Sequence, residues 1–332
     1  MAERVYRHNV GTQNHEAAAF YRGFKEITRI TYPEAGENMV GEQLFGADDL
    51  GTDGLHHEKF FHTRLQGQAA VVPDKVRQRF PMASYRTGSI LIQGYRQIGI
   101  AYEYYPEDLE DNLSGFNFLA DLAADLPILL RDTEEDMHMS FYNNGESATQ
   151  LVGFANTPLF VDGTTHRLQL LGNPDYFSGQ AASNIIENGG GISYAMLSLV
   201  KQYGRNFINE EGRTNPIRVV GVLGREQNIE LLQEWVNAPS NIEQFDGARR
   251  NPAEDLRGLT YYVSERMAQP NDLIFFFDGW QDDIKMRAKY QNRADTWEEG
   301  NAQYRKVYSQ TRSRLGYYAY NNRRVLLMRG AA

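Results

Sequence analysis

The chain has 332 residues, 41% hydrophobic and 23% charged, with a formal net charge of −9, which is the balance of a folded globular protein and excludes a disordered one. It has no cysteine, which excludes a disulfide scaffold, a cysteine-ligated metal and a thiol nucleophile. No window approaches the roughly 20 apolar residues that span a bilayer, and MAERVYRHNVGTQNHE lacks a signal peptide's apolar segment, so we expect a protein made and kept in the cytoplasm or released from it by lysis.

Residues 1–62 show little sustained periodicity apart from a short amphipathic helical piece, HEAAAFYRGFKEI. The remainder, with PEAGEN and FGADDLGTDG, reads as an irregular arm suited to lying on another surface. From 63 to 104 the texture turns to β. SILIQGYRQIGIAYEYY (89–105) is expected to pair with QAAVVPDKV (68–76) as an extended hairpin. The acidic PEDLEDN then leads into a helix with apolar positions at Phe116, Leu119, Leu122, Leu126, Leu129, Thr133, Met137 and Phe141. It ends at Asn143-Asn144-Gly145, would be roughly 40 Å long, and carries Pro127 as a point of kinking.

The second half mixes element types. FANTPLFVDGTTHRL reads as loop, ISYAMLSLVKQYGRNFI (192–208) as a helix, IRVVGVLG (217–224) as a buried strand and QNIELLQEWV (227–236) as a helix. In GLTYYVSERMAQPNDLIFFFDGW (258–280), two aromatic runs flank a turn on Pro270, Asn271 and Asp272 and read as buried strands. IKMRAKY (284–290) reads as a strand and 291–303 as a polar loop. A run from Tyr304 to Tyr320 and RVLLM (324–328) complete the chain. Residues 284–332 hold 11 Lys/Arg against 3 Asp/Glu. Because these bases alternate with apolar residues, we expect an exposed sheet face meeting acidic surface on a neighbouring copy, in preference to a nucleic-acid arm.

This order of parts resembles the major capsid protein of tailed bacteriophages, the Hong Kong 97-type fold. The resemblance is carried by YRQIGIAYEYYPEDLEDN with its long helix and NG stop, by VVGVLG, by GLTYYVSERMAQPNDLIFFFDGW, and by the closing SQTRSRLGYYAYNNRRVLLMRG. One departure is the Ala-Gln between Met267 and Pro270. The resemblance implies an α+β fold. Its parts would be an N-terminal arm (1–62), an extended β-hairpin loop (63–104), a peripheral domain with a long spine helix (105–150 and 280–316), and an axial α/β domain (151–279 and 317–332). It further implies self-assembly into pentamers and hexamers of an icosahedral shell enclosing double-stranded DNA. The partners would be a separate scaffolding protein, a portal and a decoration protein, with weak non-specific contact to the packaged DNA and no membrane. The subunit would be found in the virion, after assembly in the host cytoplasm. In this frame Arg293, Asp295, Glu298 and Glu299, in the 291–303 loop, are the candidate contacts between subunits.

Catalytic and metal constellations are weak. His56, His57, Glu58 and His62 form HExxxH, whose outer imidazoles stand about 140° apart on a helix and cannot share a metal. Glu135 and His138 make a single ExxH unit in the acidic run DTEED, which reads as a solvated helix face. ENGGGISYAM lacks the last glycine of both GxGxxG and GxSxG, so it reads as a helix entry. Lys59, Lys75, Asn292 and Asn301 are the residue types of the family's Lys–Asn cross-link, with no local pattern bringing them together. We therefore expect no enzyme activity, no cofactor and no metal. The alternatives are an encapsulin-like nanocompartment shell, and, from another class, an enzyme using the glycine-rich 189–195 loop.

Overall fold

The structure, a computed structural model, describes residues 15–36, 39–47, 59–66, 84–91, 93–105, 118–147, 151–152, 157–162, 183–187, 191–207, 215–238, 253–301, 304–319 and 322–330. In chain order the elements are α1 (His15–Ala35), β1 (Gly46–Ala47), β2 (Lys59–Gln66), β3 (Ser84–Leu91), β4 (Gln93–Tyr104) and α2 (Phe118–Asn143). There follow β5 (Leu151–Val152), β6 (Thr157–Pro158), β7 (Ile185–Glu187), α3 (Tyr194–Arg205), β8 (Val219–Gly224) and α4 (Glu226–Asn237). The last are β9 (Thr260–Val263), β10 (Leu273–Phe277), α5 (Trp280–Asp283), β11 (Ile284–Asn301), β12 (Tyr304–Ala319) and β13 (Val325–Arg329). They divide between two units: Met1–Met39, Tyr95–His138 and Arg287–Gly316 in the first, and Val40–Gly94, Met139–Met286 and Tyr317–Ala332 in the second.

In the first unit β12 lies between β11 and β4. Period-2 alternation sorts β12 into two rows. Val307, Ser309, Thr311, Ser313 and Leu315 are buried, while Lys306, Tyr308, Gln310, Arg312 and Arg314 are half-exposed. The buried side carries a small apolar cluster: Phe24 and Ile27 of α1, Ala123 and Leu126 of α2, Ile100 of β4 and Ala294 of β11. Small hydroxyl residues in the buried row let a helix approach closely, and the Thr311 hydroxyl donates to the Leu126 carbonyl at 3.5 Å. Tyr104 and Ser309 share a hydrogen bond at 3.3 Å. Asn292 has φ of +47°, and its side-chain amide donates to the Thr28 carbonyl at 3.0 Å.

Three sequence expectations change here. Helix α1 is 21 residues long and runs through TRITYPEA, so the span read as mostly irregular arm contains a substantial helix. The polar loop expected at 291–303 is strand up to Asn301. Cross-strand pairs hold it in place of an apolar pattern, with Trp297 stacked on Tyr308 at 5.1 Å and Asp295 bonded to Arg312 at 2.7 Å. The buried phase of α2 also differs, because Leu129 and Thr133 are exposed while Leu126, Leu130, Glu134 and His138 are buried. Glu134 and Glu135 within DTEED are therefore not a solvated face; Asp132 and Asp136 are.

The second unit is built on a five-stranded sheet ordered β7-β13-β10-β8-β9. Strand β10 is antiparallel to both its neighbours, and β8 and β9 are parallel. The run LIFFF is apolar throughout because both of its faces are covered. Leu273, Phe275 and Phe277 join Val222, Leu326 and Met328 against α3 and α4. On the opposite side Phe276 meets Tyr142, Tyr262 and Trp280 at ring distances of 5.8, 5.9 and 4.4 Å. Strand β8 stands between the two aromatic runs of 258–280, which leaves TYYV as a partly exposed edge strand and not a buried one.

Polar clamps fix the connections of this unit. Buried Asn184 accepts from Val161 N at 2.6 Å and donates to the carbonyls of Leu159 and Asn322, each at 2.9 Å. Arg225 donates to the Met267 carbonyl at 2.7 Å, and Asn228 to that of Pro270 at 2.6 Å, stapling the SERMAQP turn. Gly279 has φ of +74°, and a Cβ there would fall 1.7 Å from Arg324 Nη1, so the turn leaving β10 requires glycine.

A correction also falls on the extended hairpin. Among the described residues the partner of β3 is β2, in register from Lys59 opposite Leu91 to Gln66 opposite Ser84; the expected partner, 68–76, lies outside the described residues. The span expected as one strand, 89–105, is two: β3 pairs with β2, and β4 pairs with β12.

Candidate assembly surfaces

The exposed face of the first unit's sheet is cationic and aromatic. Arg312 and Arg293 converge on one carboxylate, Asp295, at 2.7 and 3.3 Å. Both guanidinium groups also stand over the Tyr290 ring, at 5.6 and 5.9 Å. Gly99 of β4 makes room for this arrangement, since a Cβ there would lie 2.9 Å from Arg312 Cβ. Lys306 pairs with Glu103 at 2.5 Å and lies over the Tyr105 ring at 5.6 Å. These mutual contacts draw the Glu103 carboxyl below and the Lys306 ammonium above their ordinary values, in each case chiefly through the hydrogen bond between them.

Of the four candidate contacts, Arg293 and Asp295 are thus brought together in one cluster of the same chain. Glu298 and Glu299 lie further along β11, in strand. The Arg312 and Tyr290 partners were not singled out from sequence. The signal for Arg312 was the even-numbered alternation within YRKVYSQTRSRLG.

The same unit holds a buried polar knot between α1 and α2. Glu134, 0% exposed, accepts a short bond from the Tyr32 hydroxyl and a second from Arg131 at 3.2 Å. Arg131 stacks over the Tyr32 ring at 4.2 Å, and its Nε donates to the Tyr32 carbonyl at 3.4 Å. Gly36 leaves space for that guanidinium, because a Cβ there would approach it to 2.6 Å. Burial pushes the Glu134 carboxyl above its ordinary value, against the opposing pull of Ser313, Tyr32 and Arg131.

Elsewhere the candidate chemistry does not assemble. His62 lies on strand β2, where neither a helical HExxH nor its HExxxH variant applies; His56, His57 and Lys75 fall outside the described residues. Glu135 and His138 are buried on α2, and among the described residues no group of three ligating side chains could hold a metal. Ser193 is the N-cap of α3, its hydroxyl accepting from Met196 N at 3.3 Å. In the second unit Arg329 reaches both Glu146 and Glu187, and burial raises the nearby Asp272 carboxyl. Among the described residues no helix is long and apolar enough to cross a membrane.

No protein-family model and no curated protein sequence matches the chain. Among solved structures, one from Microbacterium phage Oxtober96 aligns over 88% of this chain and 91% of its own, at 13% identity and a TM-score of 0.51. The capsid of an empty GTA particle aligns over 89% and 90%, at 11% identity and a TM-score of 0.48. A virus-like particle from Pyrococcus furiosus aligns over 93% and 99%, at 11% identity and a TM-score of 0.46. Identity at this level speaks for fold alone, and the fold is shared with the Microbacterium phage structure.

Proposed function

We propose that the chain is a structural shell subunit, the major capsid protein of a tailed phage. It forms pentamers and hexamers of an icosahedral shell around double-stranded DNA, and it carries no catalytic role. The observation that carries this reading is the fold likeness to the Microbacterium phage structure, which runs over nine-tenths of both chains and so leaves little room for a grafted catalytic domain. The first unit corresponds in this reading to the peripheral domain and the second to the axial domain. The β2–β3 hairpin serves as the extended loop.

Physical chemistry supports the same conclusion. Among the described residues β2 and β3 pair only with each other, and a lone two-stranded ribbon is marginal in water. Ordering its backbone costs about 1–2 kcal/mol per residue, a cost that is offset when the ribbon lies on adjacent copies. Arg293, Asp295, Glu298 and Glu299, near the end of β11, act as contacts between subunits. A separate scaffolding protein guides closure, a portal and a decoration protein complete the particle, and the acidic subunit touches packaged DNA weakly.

Negative-stain electron microscopy of the expressed chain tests the reading. Curved walls, incomplete shells or closed particles are expected, with regular closure when the scaffolding protein is present. Dispersed single subunits under both conditions would contradict it.

A further inference from the structure

We propose that α3 and α4 of the second unit form a head-to-tail contact between copies, α3 of one seated against α4 of the next. This rests on the shell reading above and names the surface that closes each ring. The two helices meet through the Tyr194 and Trp235 rings, 4.7 Å apart. Each sends one face into the same core: Met196, Leu197 and Val200 from α3, and Ile229, Leu232 and Val236 from α4.

Their opposite faces match. On α3, Leu199 is 48% exposed and leads a row of residues three apart through Gln202 to Arg205, nearly two turns on. On α4, Leu231 is 40% exposed beside Glu230, with Glu234 one turn on. Single exposed leucines are ordinary on a protein surface, but here each sits at the middle of a helix whose charges have one sign. The only ionisable charges of YAMLSLVKQYGR are Lys201 and Arg205, and those of EQNIELLQEWVN are Glu226, Glu230 and Glu234. Lys201 is held by Asp255 at 2.8 Å, whereas the Arg205 side chain is 70% exposed and reaches the same carboxylate only at 3.8 Å.

Stripe against like stripe would set cation on cation or anion on anion. Only α3 against α4 pairs leucine with leucine and Arg205 with glutamates. Where the contact of α3 on α4 runs one way only and is not returned by α4 on α3 of the same pair, it is heterologous, and with a suitable rotation it closes into a ring. The occupant is therefore a second copy of this chain.

The absence of native cysteine makes a direct test available. Leu199→Cys and Leu231→Cys variants of the full chain are co-assembled in equal amounts with the scaffolding protein, and pelleted particles are oxidised and run without reductant. The expected result is a covalent dimer in the mixture that neither variant gives alone. A double Leu199→Cys/Leu231→Cys variant should give a ladder beyond dimer. Sedimenting particles that yield no bridge in the mixture, or bridges in a single variant, would overturn the contact. A double variant that stops at dimer would overturn its head-to-tail sense. Failure of the unsubstituted chain to form particles would overturn the shell reading itself, and this contact with it.

Discussion

The two units solve the burial problem in different ways. In the second, the central strand is apolar along its whole length and covered on both faces, and buried Asn184 is bonded to backbone groups of its neighbouring segments. In the first, a sheet is covered on one face only. Much of the buried row is serine and threonine, and a buried carboxylate and guanidinium join its two helices. Apolar burial is worth about 25 cal/mol per Å² without geometric conditions, whereas a buried charge is tolerated only while every partner stays in place. The second unit should therefore be the stable body, and the first the part that responds to its surroundings.

Four substitutions would break or sharpen that contrast. The largest loss is expected from Phe276→Ala, which opens a cavity between Tyr142, Tyr262 and Trp280; about 3–5 kcal/mol should be lost in urea denaturation. A loss below that range would mean that the far face of the sheet is loosely packed. Asn184→Ala leaves Val161 N and the carbonyls of Leu159, Asn322 and Val325 without their buried partner and should cost about 2–3 kcal/mol by the same measurement.

In the first unit, Tyr32→Phe removes the short hydrogen bond to Glu134. It should cost about 1–2 kcal/mol, with hydrogen exchange accelerating along α1 while β10 and β13 keep their protection. The same carboxyl sets a pH dependence. Its folded pKa is raised by burial, so its contribution is fully present below the ordinary glutamate value of 4.5 and is lost as pH rises through the folded value. Wild type and Glu134→Gln should therefore differ in melting temperature by an amount that changes across that window; a constant difference would remove Glu134 from the account. The smallest effect is expected from Lys306→Ala. Its ion pair with Glu103 is exposed, and the denaturation midpoint should not move measurably.

Much of the second unit was legible in the sequence because its elements are decided locally. VVGVLG, LIFFF and VLLM are continuous apolar runs, and α3 and α4 carry a clear helical period. The first unit was harder for a physical reason. In α2 the buried phase passes from Leu126 and Leu130 to Glu134 and His138, so an apolar pattern drifts onto Leu129 and Thr133 instead. Residues 291–301 are mostly polar and are held as strand by pairs such as Trp297–Tyr308, which only the folded register reveals. The partner of β3 was likewise a matter of long-range pairing, which no local window contains. Of the candidate site, Arg293 and Asp295 were visible as charges, but their convergence with Arg312 over Tyr290 was not.

Sedimentation velocity of the 332-residue chain bears most directly on the central claim, that this fold is used as one tile of a closed wall. The account predicts a fast boundary of particles containing many copies, persisting after dilution. A lone boundary of the 37.9 kDa subunit at every concentration would contradict it.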